Sequence, residues 1–357
     1  GNVVIIAHSV RDETPADFVS LFPESVRFVE LPMCREIHPL KDIRSILKVA
    51  ELVQTERPNV VHLHSSKAGV VGRIGTALGR TGAPVFYTPH GLSHLRQDVS
   101  FFKRWLFLSI EQLMGVFPCK VLACSGGEYR ALRRILPRSR VLRLDNAIDT
   151  TALRGRFDIE RTFDEEVTIG TMGGVRYQKA PWVFAEVAQE LSKRLPNAKI
   201  RWLWIGAGDE PFVTQLQDAG VEVSGWVSRN DALRRVNECD LYLQTSLWEG
   251  LSLSVLEAQC LGLPAVVSGA EGNRDAIANG RSGYVAESID EYVEKLAELV
   301  SSTEKRRHFS SYAQHWIEQQ FSMERLLRKL KEIYATGQLK QEGDYTQLLP
   351  GSGASKV

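Results

Sequence analysis

The sequence has little cysteine, no long hydrophobic run and no surplus of charge. Its five Cys, at positions 34, 119, 124, 239 and 260, are odd in number and include no C-x-x-C pair. That argues against a disulfide framework and a structural zinc site, and fits a reducing compartment such as the cytoplasm. No run approaches the ~18 apolar residues of a membrane-spanning helix, and no signal peptide opens the chain. Lys and Arg number 44 against 43 Asp and Glu, a net charge of +1. Taken whole, that balance argues against a nucleic-acid or membrane-surface role.

What is present reads as a globular α/β protein. The 357 residues are 43% apolar and 24% charged, a length that suits two domains of ordinary size. Short β-branched runs fall at 3–7, 26–31, 60–64, 85–88, 121–125 and 141–144. A second series falls at 167–171, 200–205, 221–224, 241–244 and 265–268. Helix-length amphipathic stretches lie between most of them, as at 40–56, 102–114, 182–194 and 254–261. Strand–helix alternation predicts parallel sheets with crossover helices, and two such series predict two doubly wound domains in tandem. The expected division is 1–152, 165–320, a helix at 321–337 and a disordered Gly/Ser/Gln-rich tail at 338–357. The opening departs from an ordinary parallel domain, because no Gly-rich strand-to-helix turn and no full crossover helix follow the first strand. The chain therefore reads as starting at its second strand with a first βα unit absent; the other reading is a native start after removal of Met.

The densest chemistry lies in 241–268, LYLQTSLWEGLSLSVLEAQCLGLPAVVS. A buried strand leads into a loop, and a helix is expected to begin near 251–254. Ligands in such sheets bind beyond the carboxyl ends of the strands, which is where this loop falls. Gly250 lets the backbone approach a ligand, and the amides of Gly250, Leu251 and Ser252 at a helix N-terminus suit a phosphate. Glu249 and Glu257 could accept hydrogen bonds from hydroxyls at two ends of one polar ligand. As single residues they read equally well as a helix-terminal charge and a solvated helix carboxylate. The loop Gly206-Ala-Gly208 follows another strand, but the third Gly of a dinucleotide fingerprint is missing, which disfavours a dehydrogenase.

As a whole string, Glu249-Gly-Leu-Ser-Leu-Ser-Val-Leu-Glu257 resembles the E-x7-E motif of the GT-B glycosyltransferases of family 4. The resemblance extends through Ala258–Pro264, Gly272–Asp275 and Gly280–Tyr284, and covers the chain from Asn2 to about Tyr334. It implies two Rossmann-like domains facing a cleft. It also implies that Glu249 meets the donor sugar, Glu257 the nucleotide ribose, and Gly250 and Leu251 the diphosphate. The loop from Gly173 to Pro181 resembles the family's G-R-x-x-x-Q-K element, whose basic residues neutralise the diphosphate. Lys179 fits that element; Gly174 stands where the motif has Arg, so Arg176 is the expected substitute, or activity is reduced. The Gly206–Gly208 loop and Gly225-Trp226-Val227 correspond to segments beside the nucleotide and its base, although Trp226 by itself reads better as core. No cofactor and no metal site are expected, since no Asp-x-Asp occurs anywhere.

On the first domain, Thr88-Pro-His90-Gly91 resembles the family's H-G motif, which implies that His90 sits by the anomeric centre. His62 and His64 share one strand face, without a third residue at metal-ligand spacing. His64, Lys67 and Gly91 are the expected acceptor side. Residues 61–145 hold thirteen Lys and Arg against four Asp and Glu, and the neutral total hides this basic half. An anionic membrane surface or a pyrophosphate-linked lipid is therefore an expected partner. Residues 101–108, FFKRWLFL, place aromatics beside basic residues as interfacial helices do, though an ordinary core helix explains each residue singly. Nucleic acid is not expected, because no recognition motif accompanies the charge.

The resemblance thus implies a retaining hexosyltransferase. It would move a sugar from a UDP- or GDP-linked donor to a lipid-linked saccharide or other glycan, on the cytoplasmic face of the membrane, in cell-surface polysaccharide synthesis. The helix at 322–334 resembles the family's closing helix. Two alternatives stand: a catalytically weak partner subunit, and a GT-B sugar-nucleotide epimerase.

Overall fold

The computed structural model describes residues 2–10, 14, 17–34, 36–157 and 165–339. The first half runs β1 (Val4–His8), β2 (Val26–Glu30), α1 (Pro39–Glu56), β3 (Val61–His64), α2 (Ser66–Gly79), β4 (Val85–Thr88), α3 (Phe101–Met114), β5 (Lys120–Ala123), α4 (Gly126–Ile135) and β6 (Val141–Arg143). The second half runs α5 (Thr150–Arg156), β7 (Glu166–Met172), α6 (Pro181–Arg194), β8 (Lys199–Ile205), α7 (Glu210–Asp218), β9 (Glu222–Val223), α8 (Arg229–Asn237), β10 (Leu241–Gln244), α9 (Leu253–Cys260), β11 (Ala265–Ser268), α10 (Glu271–Ala276) and β12 (Gly283–Ala286). Three helices close the chain: α11 (Ile289–Val300), α12 (Thr303–Phe321) and α13 (Met323–Thr336).

All strand pairs are parallel. The second half forms one six-stranded sheet in the order β12-β11-β10-β7-β8-β9. Starting from β7, the chain adds β8 and β9 on one side, then returns to add β10, β11 and β12 on the other. The order reverses between β7 and β10, so the crevice at their carboxyl ends is a topological switch point, where open α/β sheets take ligands. Its strands read as nearly unbroken apolar runs because helices cover both faces. Tyr242, Leu243, Ala265, Val266 and Val267 are accordingly buried.

The first half departs from the expected single doubly wound sheet. It comprises a four-stranded sheet, β3-β4-β5-β6, and a separate pair, β1-β2. No strand among the described residues bridges β1 and β3. The helix α1 starts from Pro39, with His38 as N-cap, and ends at Arg57 in the left-handed region. Its Val49 packs with Leu31 and Val71 in a small core of its own.

Several boundaries differ from expectation for local reasons. The strand expected over 221–224 is only Glu222–Val223, cut short at the sheet edge where Gly225 turns the chain at φ 69°. β12 was not anticipated, because its four residues directly follow a Gly-containing turn. The division expected between 152 and 165 begins within helix α5, and residues 158–164 lie outside the described residues. The expected disordered tail lies outside them too, apart from Gln338 and Leu339.

The last helix leaves the second half. Ile148 and Phe321 pair through backbone, and Met323 N–H donates to the Ile148 carbonyl. α13 then lays Ile333, fully buried, among Phe86, Leu122 and Leu144 on the first sheet. No helix among the described residues is long and apolar enough to cross a membrane.

Candidate functional site

The loops after β7 and β10 are zipped together above the switch point. Leu247 N–H donates to the Gln178 carbonyl at 2.8 Å, and Gln178 Nε2 donates to the Trp248 carbonyl at 2.8 Å. Thr245 Oγ1 donates to the Lys179 carbonyl at 2.7 Å. This brings Lys179 Nζ to 2.8 Å from Glu249 Oε1, while buried Gln244 donates to the same oxygen at 3.2 Å. Burial alone would lower the lysine pKa, but Glu249 and Tyr242 outweigh it and hold the ammonium charged. The two loops thus bring together Lys179 and Glu249, to which the resemblance assigns separate roles, as an ion pair built without any ligand.

Gly174 has a physical explanation. A Cβ there would stand 3.0 Å from Arg176 Nε, because the exposed Arg176 side chain folds back over it. The Arg176 side chain thus occupies the space beside position 174. Gly206 and Gly208 turn out to be packing residues. A Cβ would meet the Gly173 carbonyl oxygen at 2.2 Å or that of Val175 at 2.0 Å. They let the β7 and β8 loops join backbone to backbone, where Val175 N–H donates to the Ala207 carbonyl.

Helix α9 begins at Leu253 with Ser252 as N-cap, so Gly250 and Leu251 lie just before the helix. Among the described residues no acceptor meets the amides of Gly250, Leu251 or Ser252. These free donors at a helix N-terminus form an anion-attracting edge. On the helix itself, Glu257 is 2% exposed, which overturns the solvated alternative. Desolvation raises its pKa against the opposing pull of Arg229, with which it forms an ion pair. Trp226 is the opposite correction. It is 81% exposed, beside Val227, which packs against the core, so it is not a core residue.

Across the cleft stand residues of the first half. His90 and Gly91 follow β4 and touch Gly250 directly: a Cβ on Gly250 would fall 2.9 Å from Gly91 N and 3.0 Å from the His90 carbonyl carbon. Gly250 thus serves the approach of the two halves as well as any ligand. His64 Nδ1 lies 2.9 Å from His90 Nε2, so the two rings share one proton. His62 lies against His64 with ring centroids 4.1 Å apart and planes tilted by 31°. It is pinned between Tyr334 Oη at 2.6 Å and Thr88 Oγ1 at 2.8 Å. Desolvation, reinforced by the neighbouring imidazoles, lowers half-buried His62 to about 3 and His90 to about 4, although His64 and His90 keep an exposed edge on the cleft. Desolvation lowers His64 as well. The group is neutral at physiological pH. Lys67 does not join it. Its ammonium is engaged by Asp42 at 2.6 Å and by the Glu36 carbonyl at 2.8 Å, on the side of α1.

The halves are also tied beside the cleft. Asp275 on α10 accepts from Gly127 N–H at the start of α4, at 2.6 Å, and Arg130 meets Glu271 at 2.6 Å. Sequence reasoning did not single out Glu128, Arg229, Gln244 or Tyr334. Of these, only Glu128 carried a local signal, the S-x-x-E spacing with Ser125 that marks a capping box.

Two family models match the chain. Residues 2–147 match the glycosyl transferase 4-like domain, and residues 156–316 match the glycosyl transferases group 1. The chain belongs to the GT-B glycosyltransferases of family 4. This glycosyltransferase is 27% identical over 342 residues to the UDP-Gal:alpha-D-GlcNAc-diphosphoundecaprenol alpha-1,3-galactosyltransferase of Escherichia coli, covering 87% of this chain and 84% of the relative. It is 22% identical to the capsular polysaccharide biosynthesis glycosyltransferase CapM of Staphylococcus aureus, covering 88% and 86%. Among solved structures, Anabaena HepE in complex with UDP and glucose superposes with a TM-score of 0.74 at 16% identity, covering 93% and 91% of the two chains. That likeness supports the fold; the placement of the enzyme's own side chains comes from the geometry above.

Proposed function

We propose that this glycosyltransferase moves a hexose-type sugar, with retention of configuration, from a UDP- or GDP-linked donor to a hydroxyl of a lipid-linked saccharide or other glycan. The observation that carries the reading is the convergence of Lys179, Arg176, Glu249, Glu257 and three free amides at one switch point, facing His90. Lys179, Arg176 and the amides of residues 250–252 neutralise the diphosphate, which makes a metal ion unnecessary for departure of the leaving group. Glu257 accepts from the ribose hydroxyls, displacing Arg229, and Glu249 accepts from hydroxyls of the sugar. Trp226 and Val227 border the base. The acceptor oxygen bonds to the anomeric carbon as the bond from that carbon to the phosphate oxygen breaks. The proton passes to the departing diphosphate. Neutral His90, backed by His64, hydrogen-bonds to the sugar beside the reacting carbon.

The E. coli relative acts on a lipid diphosphate from a UDP-sugar, and the S. aureus relative serves capsule synthesis; both names support this substrate class. Neither is named as an epimerase or an accessory subunit. The enzyme would work on the cytoplasmic face of an anionic membrane, with its basic half toward the lipid. A thermal-shift screen against UDP-, GDP- and ADP-sugars tests the donor class. UDP or GDP compounds should raise the melting temperature. Glu257→Ala should weaken nucleotide binding by about 10-fold or more, since a carboxylate accepting two hydroxyls is lost, and Glu249→Ala by less. Equal, negligible effects of the two substitutions would overturn the site assignment.

A further inference from the structure

The turn that presents His90 is held in a conformation that histidine does not favour. His90 has φ 55° and Gly91 φ 109°. Glycine takes such angles freely, whereas a side chain at positive φ persists only where its surroundings enforce it. The surrounding group is Glu128. It occupies the third position of α4, after the N-cap Ser125, whose hydroxyl accepts from Glu128 N–H at 3.1 Å. In a capping box the glutamate would reach back to the N-cap's own amide. Here the carboxylate goes elsewhere. Oε2 accepts from Cys124 N–H at 2.7 Å, and Oε1 accepts from Gly91 N–H at 2.7 Å.

Each oxygen of this side chain, 4% exposed, thus serves one backbone amide: one at the end of β5, the other inside the His90 turn. Its burial opposes ionisation and raises its pKa, and Glu111 adds to that rise. A carboxylate kept under that cost, bridging two strand ends, does more than finish a helix. The same turn is the one that Gly250 of the donor half abuts.

We propose that Glu128 is a positioning residue that locks Gly91 to the first turn of α4 and thereby fixes the His90 imidazole in the cleft. Its catalytic consequence rests on the role of His90 given above; its structural consequence does not. Two readouts separate them, using the full chain with UDP-galactose and UDP as probes. Glu128→Gln keeps the size but replaces one acceptor by a donor facing an amide. Hydrogen exchange at the Gly91 amide should then rise by about 10-fold or more. The kcat for UDP release from UDP-galactose should fall by about 10- to 100-fold, while the Kd for UDP stays within about twofold. In a His90→Ala background, Glu128→Gln should change kcat by less than about twofold, because both residues act through one imidazole. Unchanged exchange at Gly91, or the same loss of kcat in both backgrounds, overturns the proposal. If the wild-type enzyme releases no UDP, UDP-galactose is not its donor and the kinetic arm falls with that choice of donor rather than with Glu128. The exchange at Gly91 and the shift of the His90 ring resonances in Glu128→Gln then still decide the positioning role.

Discussion

At the scale of single residues, exposure separates roles that residue type leaves tied. Trp226 packs on nothing that its loss would leave as a cavity, so Trp226→Ala should move the melting temperature by less than about 2 °C. If the ring stacks on the donor base, the same change raises the donor KM by about 5- to 10-fold, the value of one aromatic contact. An unchanged KM would assign that ring elsewhere. The histidines give a test of sign. Because His62 titrates near 3 in the native protein, the folded chain takes up no proton there between about pH 6.5 and 4, whereas the unfolded chain does. Its contribution is present above pH 6.5 and is lost as pH falls through that window. At pH 5 the loss is on the order of 1–2 kcal/mol. Glu257, Glu128 and Asp275, all raised by burial, run the other way, so the comparison must be between variants. Urea unfolding between pH 7 and 5 should show a shallower loss for His62→Gln than for wild type. Parallel slopes would remove His62 from the account.

At the scale of elements, α13 joins the C-terminal end of the chain to the first sheet through Ile333 and, by way of Tyr334, to the histidine group. Ile333→Ala should cost about 2–4 kcal/mol, the usual loss for a large buried aliphatic side chain, read from denaturant midpoints. Tyr334→Phe keeps the packing and removes only the hydrogen bond to His62. It should cost about 1 kcal/mol and loosen the ring behind His64. The elements that could be read from sequence alone are those whose local pattern has one solution. β7 and β10 are largely buried runs followed by polar loops, so parallel topology already placed the loops of Lys179 and Glu249 at the same end of the sheet, whereas the direct contact between the two side chains was not legible. Gly206 and Gly208 looked like a ligand loop, because close approach of a ligand and close approach of another backbone demand the same residue. Glu128 went unread, since S-x-x-E says where a helix begins and not that its carboxylate will leave for the next strand. α3 was open to two readings because aromatic and basic residues at helical spacing fit both a core helix and an interfacial one. Tertiary placement alone decides between them: the buried residues of α3 are Glu111, paired with Arg73 at 3.0 Å, and Met114, while Phe101, Phe102 and Trp105 are exposed.

At the scale of the whole molecule, that outward face meets the division of charge. Phe102 is 83% and Trp105 63% exposed, with Phe101, Leu106 and Leu113 also exposed on the same helix. Lys103 and Arg104 lie among them, within the segment 61–145 that carries thirteen basic against four acidic residues. The helix follows the His90 turn closely, and Arg104 Nε donates to the His94 carbonyl between them at 3.0 Å. A membrane binding this face would therefore sit beside the acceptor side of the cleft, where a lipid-linked saccharide would enter. Apolar burial and attraction to anionic headgroups should add. The enzyme is then expected to co-sediment with vesicles of phosphatidylglycerol and phosphatidylcholine far more than with phosphatidylcholine alone, and 0.5 M salt should release much of it by shortening the screening length to a few ångströms. The double substitution Phe102→Ser, Trp105→Ser removes two exposed rings that make no core. It should lower vesicle binding by about 10-fold or more while leaving the melting temperature and UDP affinity in place. Binding that ignores both the headgroup charge and the two rings would mean that the basic half faces a soluble acceptor, and that the asymmetry steers an anionic substrate to His90.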